Sequence, residues 1–95
     1  MRPPSKILIA ARVLLGRTQA EVAKESGIGA RTIFKVEHGA GDVVTVEKLV
    51  RHYEENGIEF SFPTGGKGWG LSSLHLLESF DQERYRHRSS KSVSA

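Results

Sequence analysis

Apolar residues recur at helical spacing along most of the chain, in short stretches punctuated by glycine. Ile7, Leu8, Ala11, Leu14 and Leu15 mark a first helix that Ser5 can cap and Gly16 ends. Thr18, with Glu21 three residues later, carries a capping-box signature ahead of Val22 and Ala23, and Gly27 stops that second helix. A third start follows at Gly29: Ile33 and Val36 lie three residues apart on one face, while Arg31, Thr32 and Lys35 point elsewhere. Beyond the glycine-rich run A-G-D-V-V-T, Asp42 or Thr45 caps a fourth helix over about residues 45–56. Val46, Leu49, Val50 and Tyr53 face the core there, and Asn56-Gly57 closes the helix.

The period then changes from 3.6 to two. Ile58, Phe60 and Phe62 alternate with Glu59 and Ser61 up to Pro63, which predicts a strand; T-G-G-K-G reads as a loop and Trp69 with Leu71 as a short return strand. A lone two-stranded hairpin is marginal in water, so it must pack on the helices or pair with the same strand of a second subunit. Residues 72–86 resume a helical pattern with Ser72 or Ser73 as cap. Leu74, Leu77, Phe80 and Tyr85 fall near one side and Leu76 widens the stripe, giving either a dimer surface or a cover for the hairpin. Pro3 and Pro4 exclude a helix before Ser5, so residues 1–5 read as an untethered arm, and the basic, serine-rich residues 87–95 as a disordered tail. The expected organisation is an arm (1–5), a helical domain (6–57), a strand, hairpin and helix region for dimerisation (58–86), and the tail.

Ninety-five residues suffice for one domain with a modest core, and 38% apolar residues argue for a folded chain. Without cysteine there is neither a disulfide nor a thiolate metal site, which fits a reducing cytoplasm. No apolar run reaches the roughly 18–20 residues of a membrane span, and the opening residues lack a signal-peptide hydrophobic region, so the expectation is a cytoplasmic protein. The net charge of +3 is mild, but its distribution is not: residues 1–39 carry seven Lys and Arg against three acidic residues, whereas residues 40–65 carry two against five. Positive charge therefore sits with the first three helices, where it suits attraction to phosphate.

Catalytic and cofactor motifs are missing. Gly66-Lys67 is followed by Gly68 where a phosphate loop needs Ser or Thr, and Gly68 and Gly70 lack the third glycine of a dinucleotide fingerprint, since Ser73 stands there. His38, His52, His75 and His87 are scattered without ligand spacing, and no serine sits in a nucleophile elbow. No enzyme, metal or cofactor is expected.

A helix, a tight glycine turn and a helix is the unit that places its second helix in a DNA major groove when the solvent face carries donors and positive charge. Arg31 and Lys35, at i and i+4, leave one face near the start of the third helix. A guanidinium can donate two hydrogen bonds to O6 and N7 of guanine, which makes Arg31 the first candidate for base reading; Lys35 suits a base or a phosphate, and Thr32 a phosphate. Phe34 lies between faces and reads as a partly buried packing residue rather than a thymine-methyl contact. Arg12, on or near an apolar face, needs a partner because an unpaired buried ion costs several kcal/mol, and Glu37 is the obvious one.

Residues 12–49 resemble the Cro/CI-type helix-turn-helix regulators, the Xre family. The resemblance rests on Arg12, the run T-Q-A-E-V-A at 18–23, Gly27-Ile28, R-T-I at 31–33 and V-E-H-G at 36–39. The later G-I-E-F and G-K-G-W-G-L are similar to the tail of small bacterial members. The resemblance implies a mainly α, lambda-repressor-like bundle of about five short helices, with a short C-terminal β strand or hairpin and an extra C-terminal helix as an optional element. It implies that Gln19 contacts phosphate or braces the recognition helix, that Ala30, Arg31, Thr32 and Lys35 belong to the DNA-facing surface, and that Arg12 and Glu37 form an internal ion pair. The family usually carries Ser or Thr where this chain has Gly29, which leaves a weaker cap and one fewer hydroxyl for phosphate. The function expected is sequence-specific binding of double-stranded DNA as a homodimer on an inverted-repeat operator, in a bacterial repressor that regulates its own or other genes. Ile58, Phe60, Phe62, Trp69, Leu74, Leu77 and Phe80 are the candidate dimerisation residues. The rival readings are an antitoxin with the same DNA-binding domain and a protein-binding anti-activator that no longer binds DNA.

Overall fold

The computed structural model describes residues 1–84. Four helices come first: α1 (Ser5–Leu15), α2 (Gln19–Ser26), α3 (Ala30–Glu37) and α4 (Val43–Glu55). Two strands, β1 (Ile58–Ser61) and β2 (Gly70–Ser73), follow, and residues 80–84 turn helical again.

Each helix puts an apolar stripe into one core. Leu8 and Ala11 of α1, Val22 of α2, Ile33 and Val36 of α3, Leu49 and Tyr53 of α4 and Ile58 of β1 are all buried. Burying a side chain of this size contributes on the order of 2 kcal/mol, so Ile58 helps tie the hairpin to the helices. The strands pair antiparallel with Ile58 opposite Ser73 and Phe60 opposite Leu71. Phe60 and Leu71 pack against the core while Glu59 and Ser61 face outward, and β1 lies on α4 and β2 on α1. The hairpin's support thus comes from its own helices. Its tip is a two-residue turn in which Gly65 (φ 57°) and Gly66 (φ 81°) both take positive φ, between reciprocal backbone bonds of Thr64 and Lys67. That turn matches the twist of paired strands and is accessible chiefly to glycine and asparagine, so the glycine run is turn chemistry.

Four expectations need correcting. Ser5 does not cap α1: it is the first helical residue, and the carbonyl of Pro4 accepts from Ile7 and Leu8. The arm is held rather than untethered, with Pro3 buried and Arg2 Nη2 3.5 Å from Glu47. Of the two caps considered for α4, Asp42 serves, accepting from Thr45 N at 2.7 Å, and the helix begins at Val43. The helix expected over 72–86 does not form before residue 80. Ser72 and Ser73 belong to the ladder with β1, and Leu74 N donates to Gly57 O at 2.8 Å, so the backbone is engaged by its neighbour strand instead of by a helical turn. The helical turn starts at a reciprocal cap further on, where Gln82 N donates to Ser79 Oγ and Ser79 N to Gln82 Oε1. Tyr85, the end of that expected helix and the tail over 87–95 lie outside the described residues.

Candidate nucleic-acid interface

The sequence builds the α2–α3 unit from its caps. Thr18 Oγ1 accepts from Glu21 N at 3.1 Å while Thr18 N donates to Glu21 Oε1 at 2.8 Å, closing the capping box. Those bonds from Thr18 hold the Glu21 carboxyl below the usual carboxylate range. At the other end Gly27 adopts φ 77° and its N–H donates to Ala23 O, after which Ile28 turns inward against the core. Gly29 follows with φ −60° and opens α3 with no side-chain cap. The first-turn N–H groups of α3 therefore have no side-chain partner.

The opposite end of α3 is anchored. The Glu37 side chain is only 3% exposed and receives Arg12 Nε at 2.7 Å, Arg12 Nη2 at 3.1 Å and Gln19 Nε2 at 2.8 Å. Arg12 also donates to Arg17 O at 3.0 Å. Burial disfavours the Glu37 carboxylate, but the hydrogen bonds from Arg12 and Gln19 outweigh it and hold its pKa below the usual range. The same contact raises Arg12. Burial first, and then the Glu37 charge, push the neighbouring Tyr53 phenol far up. One carboxylate from α3 thus receives donors from α1 and α2, and of the two roles the resemblance offered for Gln19 the geometry shows the brace.

With Ile33, Val36 and Glu37 turned inward, the outward residues of α3 and its C-terminal end are Ala30, Arg31, Phe34, Lys35 and His38, with Thr32 half-buried at the margin. They form two rows. Arg31 and Lys35 make a cationic row one turn apart, and neither enters an ion pair among the described residues. Beside it runs a second row, Ala30, Phe34 and His38, also at one-turn spacing. Phe34 is half exposed; its ring centroid lies 4.0 Å from that of His38, whose Nδ1 is 2.8 Å from Phe34 O. The expectation of a partly buried residue lying between faces holds at position 34: the spacing 30, 34, 38 puts Phe34 on the flank between the cationic row and the buried side, packed on His38.

The residues expected to join two subunits do not share one environment. Ile58 is fully covered by its own chain, so it is removed from that set, and Phe60 is half-buried against the core. Phe62 and Trp69 stack across the hairpin with ring centroids 5.0 Å apart. Leu74, Leu77 and Phe80 are exposed. Among the described residues no group of His, Asp and Glu is arranged to hold a metal ion, and no helix is long and apolar enough to cross a membrane.

A glycine turn between two short helices, packed in a small bundle with a free cationic row on the second helix, defines a DNA-binding helix-turn-helix domain. Residues 8–54 match the family model described as helix-turn-helix, which is of the Cro/CI, or Xre, type. The fold is that of the lambda-repressor-like bundles, with the short hairpin appended after α4. No curated protein matches the chain.

Proposed function

We propose that the protein is a sequence-specific transcriptional regulator of bacterial type that acts in the cytoplasm as a homodimer, with α3 seated in the major groove of an operator. The observation that carries this reading is the unpaired Arg31–Lys35 row on the outward face of a helix whose inward face is locked by Glu37. A cationic row that serves no ion-pair partner among the described residues suits a polyanion, and the rigid seat behind it favours one binding geometry. In this reading Arg31 donates to a guanine, Lys35 to a base or phosphate, and Thr32 and the open start at Gly29 and Ala30 approach the phosphate backbone. Gln19 contributes by bracing. Repression follows from occupying an operator that overlaps a promoter, the regulator's own promoter included. Two-fold symmetry requires an inverted repeat with half-site centres about 10 base pairs apart or a multiple of that. Phe62, Trp69, Leu74, Leu77 and Phe80 supply the subunit interface.

The test is selection of bound duplexes from a random library by the purified protein, repeated with Arg31→Ala. An inverted repeat that the substitution relaxes at one position per half-site, at a cost of about 1–3 kcal/mol, supports the reading. Recovery of no motif, with binding that merely fades as salt rises, overturns it. A second reading, an antitoxin whose C-terminal region covers a toxin, draws on the exposed Leu74, Leu77 and Phe80. The mass of the particle purified from its native host separates the two: twice the chain mass for the homodimer, or a complex with a second small polypeptide for the antitoxin.

A further inference from the structure

The cationic row leaves one flank of the outward face of α3 unexplained. On that flank lies Phe34, with Arg31 and Lys35 to one side, Ala30 one turn before it and His38 one turn after. A single exposed aromatic residue is ordinary on a protein surface and by itself points nowhere. Here three observations converge. The ring lies beside the cationic row on the surface that faces the groove under the function proposed above, on which this inference rests. The stack on His38, together with the His38 Nδ1 contact to Phe34 O at 2.8 Å, holds the ring in place and leaves half of Phe34 exposed. And its neighbour towards the start of the helix, Ala30, is small and exposed, so no long side chain shields that flank.

The floor of the major groove offers hydrogen-bond donors and acceptors on every base pair and a single kind of apolar group, the C5-methyl of thymine. An aromatic ring on the reading face leaves polar base edges without a partner and gains only where a methyl meets it. We propose that Phe34 is a specificity-determining residue that reads a thymine methyl in each half-site, beside the base engaged by Arg31. His38 is its positioning residue, and because the ring is already held, little side-chain freedom is lost on binding.

The experiment uses the full-length protein and the duplexes recovered by selection from a random library. Each thymine of the recovered motif is replaced in turn by uracil, which removes the methyl and nothing else. The expected result is one thymine per half-site whose replacement weakens binding about fourfold, the worth of one buried methyl. In Phe34→Ala the thymine and uracil duplexes then bind equally, while the preference at the position that Arg31→Ala relaxes is retained. Phe34 is exposed, so Phe34→Ala should fold; a thermal melt followed by circular dichroism verifies that, and Phe34→Leu, which keeps an apolar side chain, is expected to retain part of the methyl preference. A motif in which no uracil replacement matters overturns the inference while leaving the regulator reading intact, and so does a methyl effect that persists in Phe34→Ala. If no motif is recovered at all, both fall.

Discussion

α2 and α3 are of equal length, eight residues each, and lie on either side of one turn, yet they are held at opposite ends. α2 is fixed at its start, where Thr18 and Glu21 close a capping box and Gln19 reaches into the core. α3 begins at a bare glycine and is fixed at its finish, where Glu37 collects Arg12 and Gln19. The difference separates two duties within some twenty residues. What secures the pair lies along α2, in the turn, or on the buried side of α3. The outward row of α3 takes no part in it, so the residues there are free to be chosen for what they touch outside the molecule.

Three substitutions probe that separation, in descending order of expected effect. Glu37→Ala leaves the Arg12 guanidinium largely buried without its counter-ion and should cost about 3 kcal/mol in urea denaturation. A loss under about 1 kcal/mol would mean that the anchor is not what secures α3. The pH dependence gives the same answer from another side. The Glu37 pKa is lowered in the folded chain, so its contribution is fully present above the ordinary carboxylate range and is lost as pH falls through the depressed value. The wild-type protein therefore weakens in acid, and Glu37→Ala flattens that limb. Thr18→Ala opens the capping box and should cost about 1 kcal/mol, leaving α2 with a start as bare as that of α3. Gly29→Ser works in the opposite direction: φ is −60° and the new Cβ would meet nothing nearer than Thr32 Oγ1 at 3.8 Å, so a gain of about 0.3 kcal/mol in the same denaturation assay is expected. A loss on that substitution would show that the open start is structurally required.

Much of this was legible in the residues. The helices follow from a 3.6-residue period and from glycines standing where a helix must stop, and the Arg12–Glu37 pair follows from the cost of burying one charge without the other. One feature was not legible. Ser73, Leu74 and Leu77 keep helical spacing, but pairing with β1 is non-local and overrides local preference; the better signal was Ser79 with Gln82 three residues later, a cap placed where the helical turn does begin. Phe34 was legible as a residue between faces: with Ile33, Val36 and Glu37 inward it falls on the flank of the outward row and stays half exposed.

The Phe62–Trp69 stack makes the molecule its own spectroscopic reporter. Trp69 is the single tryptophan of the chain and lies beside β2, stacked on Phe62 across the hairpin, so its emission reports on the hairpin. Far-ultraviolet circular dichroism, in contrast, is dominated by the helices. Because Ile58 of β1 sits in the helical core, the two signals should lose amplitude at the same temperature, as they must when hairpin and bundle melt in one cooperative step.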